Sequence, residues 1–270
     1  MELSQLSDLQ QGIKEGLSLW IAEDWNNEPF RNFAQNIDSQ FEKGEIFYND
    51  RNTLAIFRTQ GRLGLKNDVV VKKFNLKTGY HRIRFRFLTS KAVRSILIAT
   101  ALTKIGINTP SPVAIIEARG KNKEIIYSYY VTEYIPYECS LLDLIRQENH
   151  PYRERISYFL PFIARDIRKM HDAGIVYNDF HAGNILIKNI TTEPEFYYID
   201  LNRARIKKTL NWRKRVKDLA RLDLSFKEQE VFLQHYAPER HRELFDLLVK
   251  MRKRRKRVIE LKRKIKRIFK

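Results

Sequence analysis

The thiol is the scarcest functionality in this chain: a single cysteine, Cys139, stands among 270 residues. It excludes an internal disulfide and points to a reducing compartment. No stretch reaches the roughly 18 apolar residues of a membrane span. The opening MELSQLSDLQQ has neither a basic leader nor an apolar export segment, so a cytoplasmic location is expected. Glycine is also sparse, at ten residues, and the turn YNDRN at 48–52 contains none. Repeats and Gly/Ser linkers are missing, which excludes solenoids and tethered arrays. Acidic residues vanish altogether from 69–116, where nine Lys and Arg remain.

What is present belongs to a globular protein: 43% hydrophobic and 12% aromatic residues, enough for a sizeable core. The net charge of +19 is unevenly spread. Residues 1–50 hold ten acids against three bases, whereas residues 250–270 hold thirteen bases against one acid. The body between them is basic as well, so anionic partners are expected for both body and tail.

The chain divides by periodicity. Residues 1–40 are expected to form a helical extension, with Leu9 to Ala22 as a helix and Asn26, Asn27 and Pro29 as its break. From 41 to 134 the pattern is that of short antiparallel strands: IFY, TLAIF, a Gly61/Gly64 turn, VVVKKF, then AIIEA and IIYSYYVTEYI, interrupted by one helix over 90–106. From 135 to 249 it is mainly helical, with LLDLIRQ and a long helix ending before Gly174, and a hairpin made of NILI and FYYID. Residues 250–270 place Val258, Leu261, Ile265 and Ile268 on one stripe opposite a cationic face, a basic amphipathic helix suited to an anionic membrane surface. At about 1 kcal/mol per basic residue near an anionic leaflet, a few engaged side chains suffice for localisation. No groove-reading motif accompanies the tail, so nucleic acid is not the expected partner.

The chemistry lies in three elements. In VYNDFHAGNILI, Asp179 precedes Asn184 by five residues, with an apolar strand directly after, which is the spacing of a phosphoryl-transfer loop. Asp179 is the candidate base for an acceptor hydroxyl, and Asn184 a candidate Mg²⁺ ligand. Asp200 closes the strand YYID as the second hard-oxygen ligand. In VVVKK the alternation of a strand sends Lys72 and Lys73 to opposite faces. Lys72 is assigned the phosphates of ATP and Lys73 to solvent. In the glycine-free turn, Arg51 and Asn52 are candidates to approach the phosphates with side chains. In VTEYI, Glu133 and Ile135 are the expected nucleotide contacts. His171, His181 and Cys139 are expected to be structural, and Tyr127, Tyr129 and Tyr130 core.

These segments, together with FEKGEIFYNDRN at 41–52, SKAVRSILIATALTKIGINTPSPVAIIE at 90–117 and IDLNRARI at 199–206, resemble the lipopolysaccharide kinase family, the Kdo/heptose kinases. The resemblance covers roughly 41–206. It implies an α+β, two-lobed protein-kinase-like fold, with a small antiparallel β lobe carrying one helix and a mainly helical second lobe. It also implies ATP-dependent phosphorylation of a sugar hydroxyl in the core/lipid A precursor of lipopolysaccharide, peripheral to the inner membrane. The basic run with Arg82, Arg84, Arg86, Lys91 and Arg94 would hold acidic groups of that acceptor. The pattern departs from kinases where a helix glutamate pairs with the strand lysine: the matching residue is Ser95, and Glu117 is a possible substitute. Two alternatives therefore stay open, a kinase for another acceptor (protein or small molecule) and a non-catalytic pseudokinase scaffold.

Overall fold

The computed structural model describes residues 16–58, 67–75 and 88–268, which form two compact units. The first unit comprises residues up to Thr100 together with Pro110–Ile135. Its centre is a six-stranded antiparallel sheet of β1 (Leu17–Ile21), β2 (Glu45–Asn49), β3 (Thr53–Phe57), β4 (Val69–Lys73), β5 (Pro112–Arg119) and β6 (Ile125–Glu133), in the order β1-β5-β6-β4-β3-β2.

Strand β1 corrects the helix expected over Leu9–Ala22; residues 1–15 lie outside the described part. LSLWI alternates, placing Leu17, Leu19 and Ile21 on one face and Trp20 on the other. That period of two wins because β5 offers an edge, and Leu17 to Ile21 pair with Ala118 to Ala114. The supposed break is a helix start. Asn27 caps α1 (Glu28–Gln35) by accepting from the Phe30 N–H at 2.9 Å, with Pro29 in the first turn.

Trp25, Phe30 and Phe33, then Ile37 of α2 (Ile37–Gln40) and Phe41, bury themselves against Ala55, Phe57, Val69, Val71 and Tyr129. The N-terminal segment is thus part of this unit's core. On the other face Ala92 and Ile96 of α3 (Lys91–Lys104) pack with Phe74, Ile115 and Tyr130. The tyrosines expected in the core are there: Tyr129 and Tyr130 are buried, and Tyr127 packs beside them.

The second unit comprises Ala101–Thr109 and Pro136–Lys270. It contains α4 (Leu141–Arg146), α5 (Ile156–Asp172), α6 (Trp212–Leu219), α7 (Phe226–Tyr236) and α8 (His241–Ile268). Two small ladders accompany them: β7 (Cys139–Ser140) with β9 (Ile185–Lys188) and β10 (Glu195–Tyr198), and β8 (Ile175–Val176) with β11 (Arg205–Ile206). Residues 3–4 apart on α5, among them Phe159, Ile163, Ile167 and Met170, supply its buried stripe. Phe232 and Leu233 of α7 and Leu244 and Leu248 of α8 are buried as well. Cys139 is buried, and burial pushes its thiol up to about 11, which makes it a packing residue.

Gly174 follows α5 with φ +76°, receives the Lys207 N–H on its carbonyl at 2.8 Å, and leaves no room for a Cβ, which would stand 2.0 Å from the Lys207 carbonyl oxygen. Both the left-handed backbone and the close approach require glycine. Gly174→Ala is expected to lower stability by about 1–3 kcal/mol, read from the denaturant midpoint; an unchanged midpoint would show that this turn relaxes freely.

Candidate active site

The segment from Tyr177 to Asn184 leaves β8 and returns into β9, so both of its ends are fixed by ladders. Its support is a buried carboxylate. Asp218 of α6 accepts the backbone N–H of Tyr177 on one oxygen and that of Asn178 on the other, each at 2.7 Å. His171 of α5 lies 3.4 Å from the same carboxylate through Nε2, while its Nδ1 is 2.6 Å from the Tyr236 hydroxyl. The tautomer that satisfies both contacts has Tyr236 donating to Nδ1 and Nε2–H donating to Asp218. His171 is therefore a structural residue, fixed by burial rather than by the charge of a helix end.

Held this way, Asn178 takes φ +62°, a conformation Asn tolerates better than most residues, and its amide donates to the Arg203 carbonyl at 3.1 Å. The Tyr177 side chain turns inward and its hydroxyl donates to the Ile199 carbonyl. Burial, then the nearby Asp200, Asp218 and Asp179 carboxylates, push its phenol well above the ordinary value, so it remains a donor.

Asp179 sits at the turn of the loop, mostly buried, with two arginines on it. Arg203 Nη1 is 2.7 Å from Oδ2, and Arg221 Nη1 bonds Oδ1. Asn184 is buried and its Nδ2 donates to the Asp179 carbonyl at 3.2 Å, so the donor end of its amide is engaged with the backbone of the same loop. The Ile199 N–H donates to the Asn184 carbonyl at 3.0 Å, bringing the next residue, Asp200, beside Asn184. Asp200 has φ 60° and ψ 50°, a left-handed conformation, and accepts from the Asn202 amide. His181 caps the short turn before β9 by accepting from Gly183 N–H at 3.2 Å, an ordering role. Asp179, Asn184 and Asp200 are thus brought together within the second unit.

The remaining candidates lie in the first unit. Lys72 pairs across the sheet with Leu54 and Tyr130, on the face opposite Lys73, and its ammonium lies 5.5 Å from the Phe74 ring. The expectation that Lys73 faces solvent is corrected. It is 3.2 Å from Asp38 and rests over the Phe41 and Tyr129 rings at 5.3 and 5.4 Å. Asp38 is also bound by the Tyr129 hydroxyl at 2.5 Å. Ser95 is buried and spends its hydroxyl on the Lys91 carbonyl at 2.9 Å. Glu117 accepts from Ser128 at 2.8 Å and from Arg119 at 3.0 Å.

Arg51 is exposed at the β2–β3 turn, 4.0 Å from Asp50, and the Oδ1 atom of its neighbour Asn52 is buried with no hydrogen-bond donor among the described residues. The N–H of Glu133 is committed to the Ser111 carbonyl at 2.9 Å, and Ile135 closes this unit two residues past β6. Arg82, Arg84 and Arg86 lie outside the described residues. Asp218, Arg203, Arg221 and Tyr177 escaped the sequence reading. The one available signal was Asp218 itself, an acid set between apolar Val216 and Leu219.

An antiparallel sheet with a lysine strand and a flanking helix, followed by a helical unit whose hairpin is preceded by Asp and Asn and followed by Asp, defines a protein-kinase-like fold. The likeness to a solved structure of WaaP in complex with acyl carrier protein supports it, with a TM-score of 0.56 and 21% identity over 88% of this chain and 98% of that one. The chain belongs to the lipopolysaccharide kinase (Kdo/WaaP) family, whose model matches residues 49–242. Among curated relatives, the 3-deoxy-D-manno-octulosonic acid kinase of Photobacterium profundum is 25% identical over 72% of this chain and 74% of its own length. That of Haemophilus influenzae (strain PittGG) is 28% identical over 54% of this chain and 59% of its own length.

Asp218→Ala would strip the N–H groups of Tyr177 and Asn178, the first of them buried, and His171 of their acceptor. At about 1–3 kcal/mol for each buried group left unpaired, unfolding free energy is expected to fall by several kcal/mol in denaturant titration. A loss confined to a few tenths would show that water replaces the carboxylate.

Proposed function

We propose that this protein transfers the γ-phosphoryl group of ATP to a sugar hydroxyl of the lipopolysaccharide inner core, Kdo or heptose. The observation that carries this reading is the juxtaposition of Asp179 and Asn184, on a loop anchored by a buried carboxylate, with Asp200 just past β10. Asp179 takes the proton of the attacking hydroxyl. The hydroxyl oxygen bonds to the γ-phosphorus as the bond to the β–γ bridging oxygen breaks, and ADP leaves. Lys72 is assigned to the nucleotide's phosphates on its strand position, with Arg51, Asn52, Glu133 and Ile135 as further nucleotide contacts.

Asn184 and Asp200 fit Mg²⁺. One amide oxygen and one carboxylate form the sparse, hard-oxygen set that this ion accepts when phosphates and water supply its other ligands. No group of three or more His, Cys, Asp or Glu suited to a metal occurs among the described residues, which accords with an ion brought by the nucleotide rather than held in a protein cage. When bound, Mg²⁺ would neutralise charge developing on the phosphates.

We place the work at the cytoplasmic face of the inner membrane, with α8 as the contact. No helix among the described residues is long and apolar enough to cross a membrane. Residues 250–268 continue a helix that starts at His241, and Val258 and Leu261 are exposed on it among cationic side chains. An exposed apolar pair ringed by Lys and Arg suits the surface of an anionic leaflet.

Purified protein, γ-labelled ATP, Mg²⁺ and lipopolysaccharide from a strain lacking this protein should give labelled glycolipid. Asp179→Asn is expected to reduce that label about 10²-fold or more, with nucleotide binding retained. ATP binding without transfer to glycolipid would move the acceptor elsewhere, to a protein or another small molecule, or mark a scaffold. Separately, Val258→Asp with Leu261→Asp should weaken binding to anionic vesicles in a flotation assay while leaving the thermal midpoint unchanged; undiminished flotation would remove α8 as the contact.

A further inference from the structure

Around Asp179 there is more positive charge than one carboxylate needs. Arg203 follows the strand that carries Asp200, Arg221 follows α6, and each takes one oxygen of Asp179. A third guanidinium, Arg255, comes from α8. Burial, then the neighbouring Arg221, press its pKa downward, while Asp179 and Asp223 act in the opposite sense.

One turn before Arg255, α8 is pinned to its unit. Arg252 donates from Nη1 to the Leu224 carbonyl at 2.7 Å, and Leu244 and Leu248 are buried on the same helix. Two elements distant in sequence thus bring Arg203 and Arg221 onto the expected base, and Arg255 lies within electrostatic range of Arg221 and Asp179. Arg203, Arg221 and Arg255 all retain solvent access. Clustered guanidiniums suit a planar or tetrahedral oxyanion, which they bind through paired, charge-assisted hydrogen bonds.

We propose that Arg203, Arg221 and Arg255 form the binding site for an oxyanion of the acceptor, a carboxylate or phosphate on or next to the sugar whose hydroxyl Asp179 deprotonates. This rests on the phosphoryl-transfer reading above and names the part of the acceptor that is recognised. With no acceptor bound, Asp179 itself occupies the site and is turned toward the arginines. The acceptor's anion takes over those hydrogen bonds and frees an oxygen of Asp179 for the hydroxyl. Recognition and activation of the base are then one event, and a neutral sugar must compete for Asp179 without that help.

The test titrates the full-length chain with 3-deoxy-D-manno-octulosonic acid, its methyl ester, a sugar phosphate and the parent neutral sugar, in wild type, Arg255→Ala and Arg221→Lys. The acid is expected to bind about tenfold or more tightly than the ester, the scale of a hydrogen bond to a charged group, and both variants should abolish the difference. If only the phosphate exceeds its neutral counterpart, and the variants abolish that difference, the site is an acceptor-phosphate site. If neither anion exceeds its neutral counterpart, or if the variants keep the discrimination, the proposal is overturned.

In turnover, Arg255→Ala should raise KM for the anionic acceptor about tenfold and leave the ester's KM unchanged. An equal loss on both acceptors would instead make the arginines mere supports for Asp179. Selective binding without any transfer from ATP would sink the kinase reading while leaving the oxyanion site standing.

Discussion

The second unit hangs on one buried carboxylate. Asp218 is 4% exposed, and its two oxygens satisfy the N–H groups of Tyr177 and Asn178 and meet His171, which Tyr236 holds from the other side. In a low-dielectric interior such a network is stable only when every member is satisfied. It ties α5, α6 and α7 to one turn of backbone. From that turn follow the left-handed Asn178, the inward Tyr177 and the place of Asp179. The position of Asp179 is therefore a consequence of helix packing remote from it in sequence, transmitted through two peptide N–H groups.

Because Asp218 binds peptide groups and not side chains, the residue types at 177 and 178 are set by other contacts. Tyr177 is there to reach Ile199, and Asn178 to tolerate a positive φ and bond Arg203. The Tyr-Asn pair before Asp179 is in that sense a local solution to local contacts, and the anchor beneath it does not discriminate.

What could be read from the sequence was whatever is encoded within a few residues. VVVKK, TLAIF, the NILI/FYYID hairpin and the spacing of Asp179, Asn184 and Asp200 each carry their own periodicity, and the described strands and turns follow it. Where partners are remote, the pattern was mute or misleading. LSLWI looked helical until β5 offered it an edge. Lys73 looked solvated because neither Asp38, thirty-five residues away, nor the rings of Phe41 and Tyr129 have any local signature. Asp218 and Arg221 follow the same rule, since their roles exist only once the helices have packed. The acidity of the N-terminal fifty residues acquires a specific use at Asp38, which neutralises a lysine inside the first unit.

Helix α8 is a rod that leaves the body of its unit along its own buried stripe. Leu244 and Leu248 are covered, Arg252 is pinned, Arg255 lies within electrostatic range of Asp179, and Val258 and Leu261 emerge uncovered. At a rise of 1.5 Å per residue, Leu261 lies only about 9 Å beyond Arg255 along the axis. Because one continuous helix carries both, whatever the exposed end takes up is kept within about a nanometre of Arg255, with no flexible tether between them.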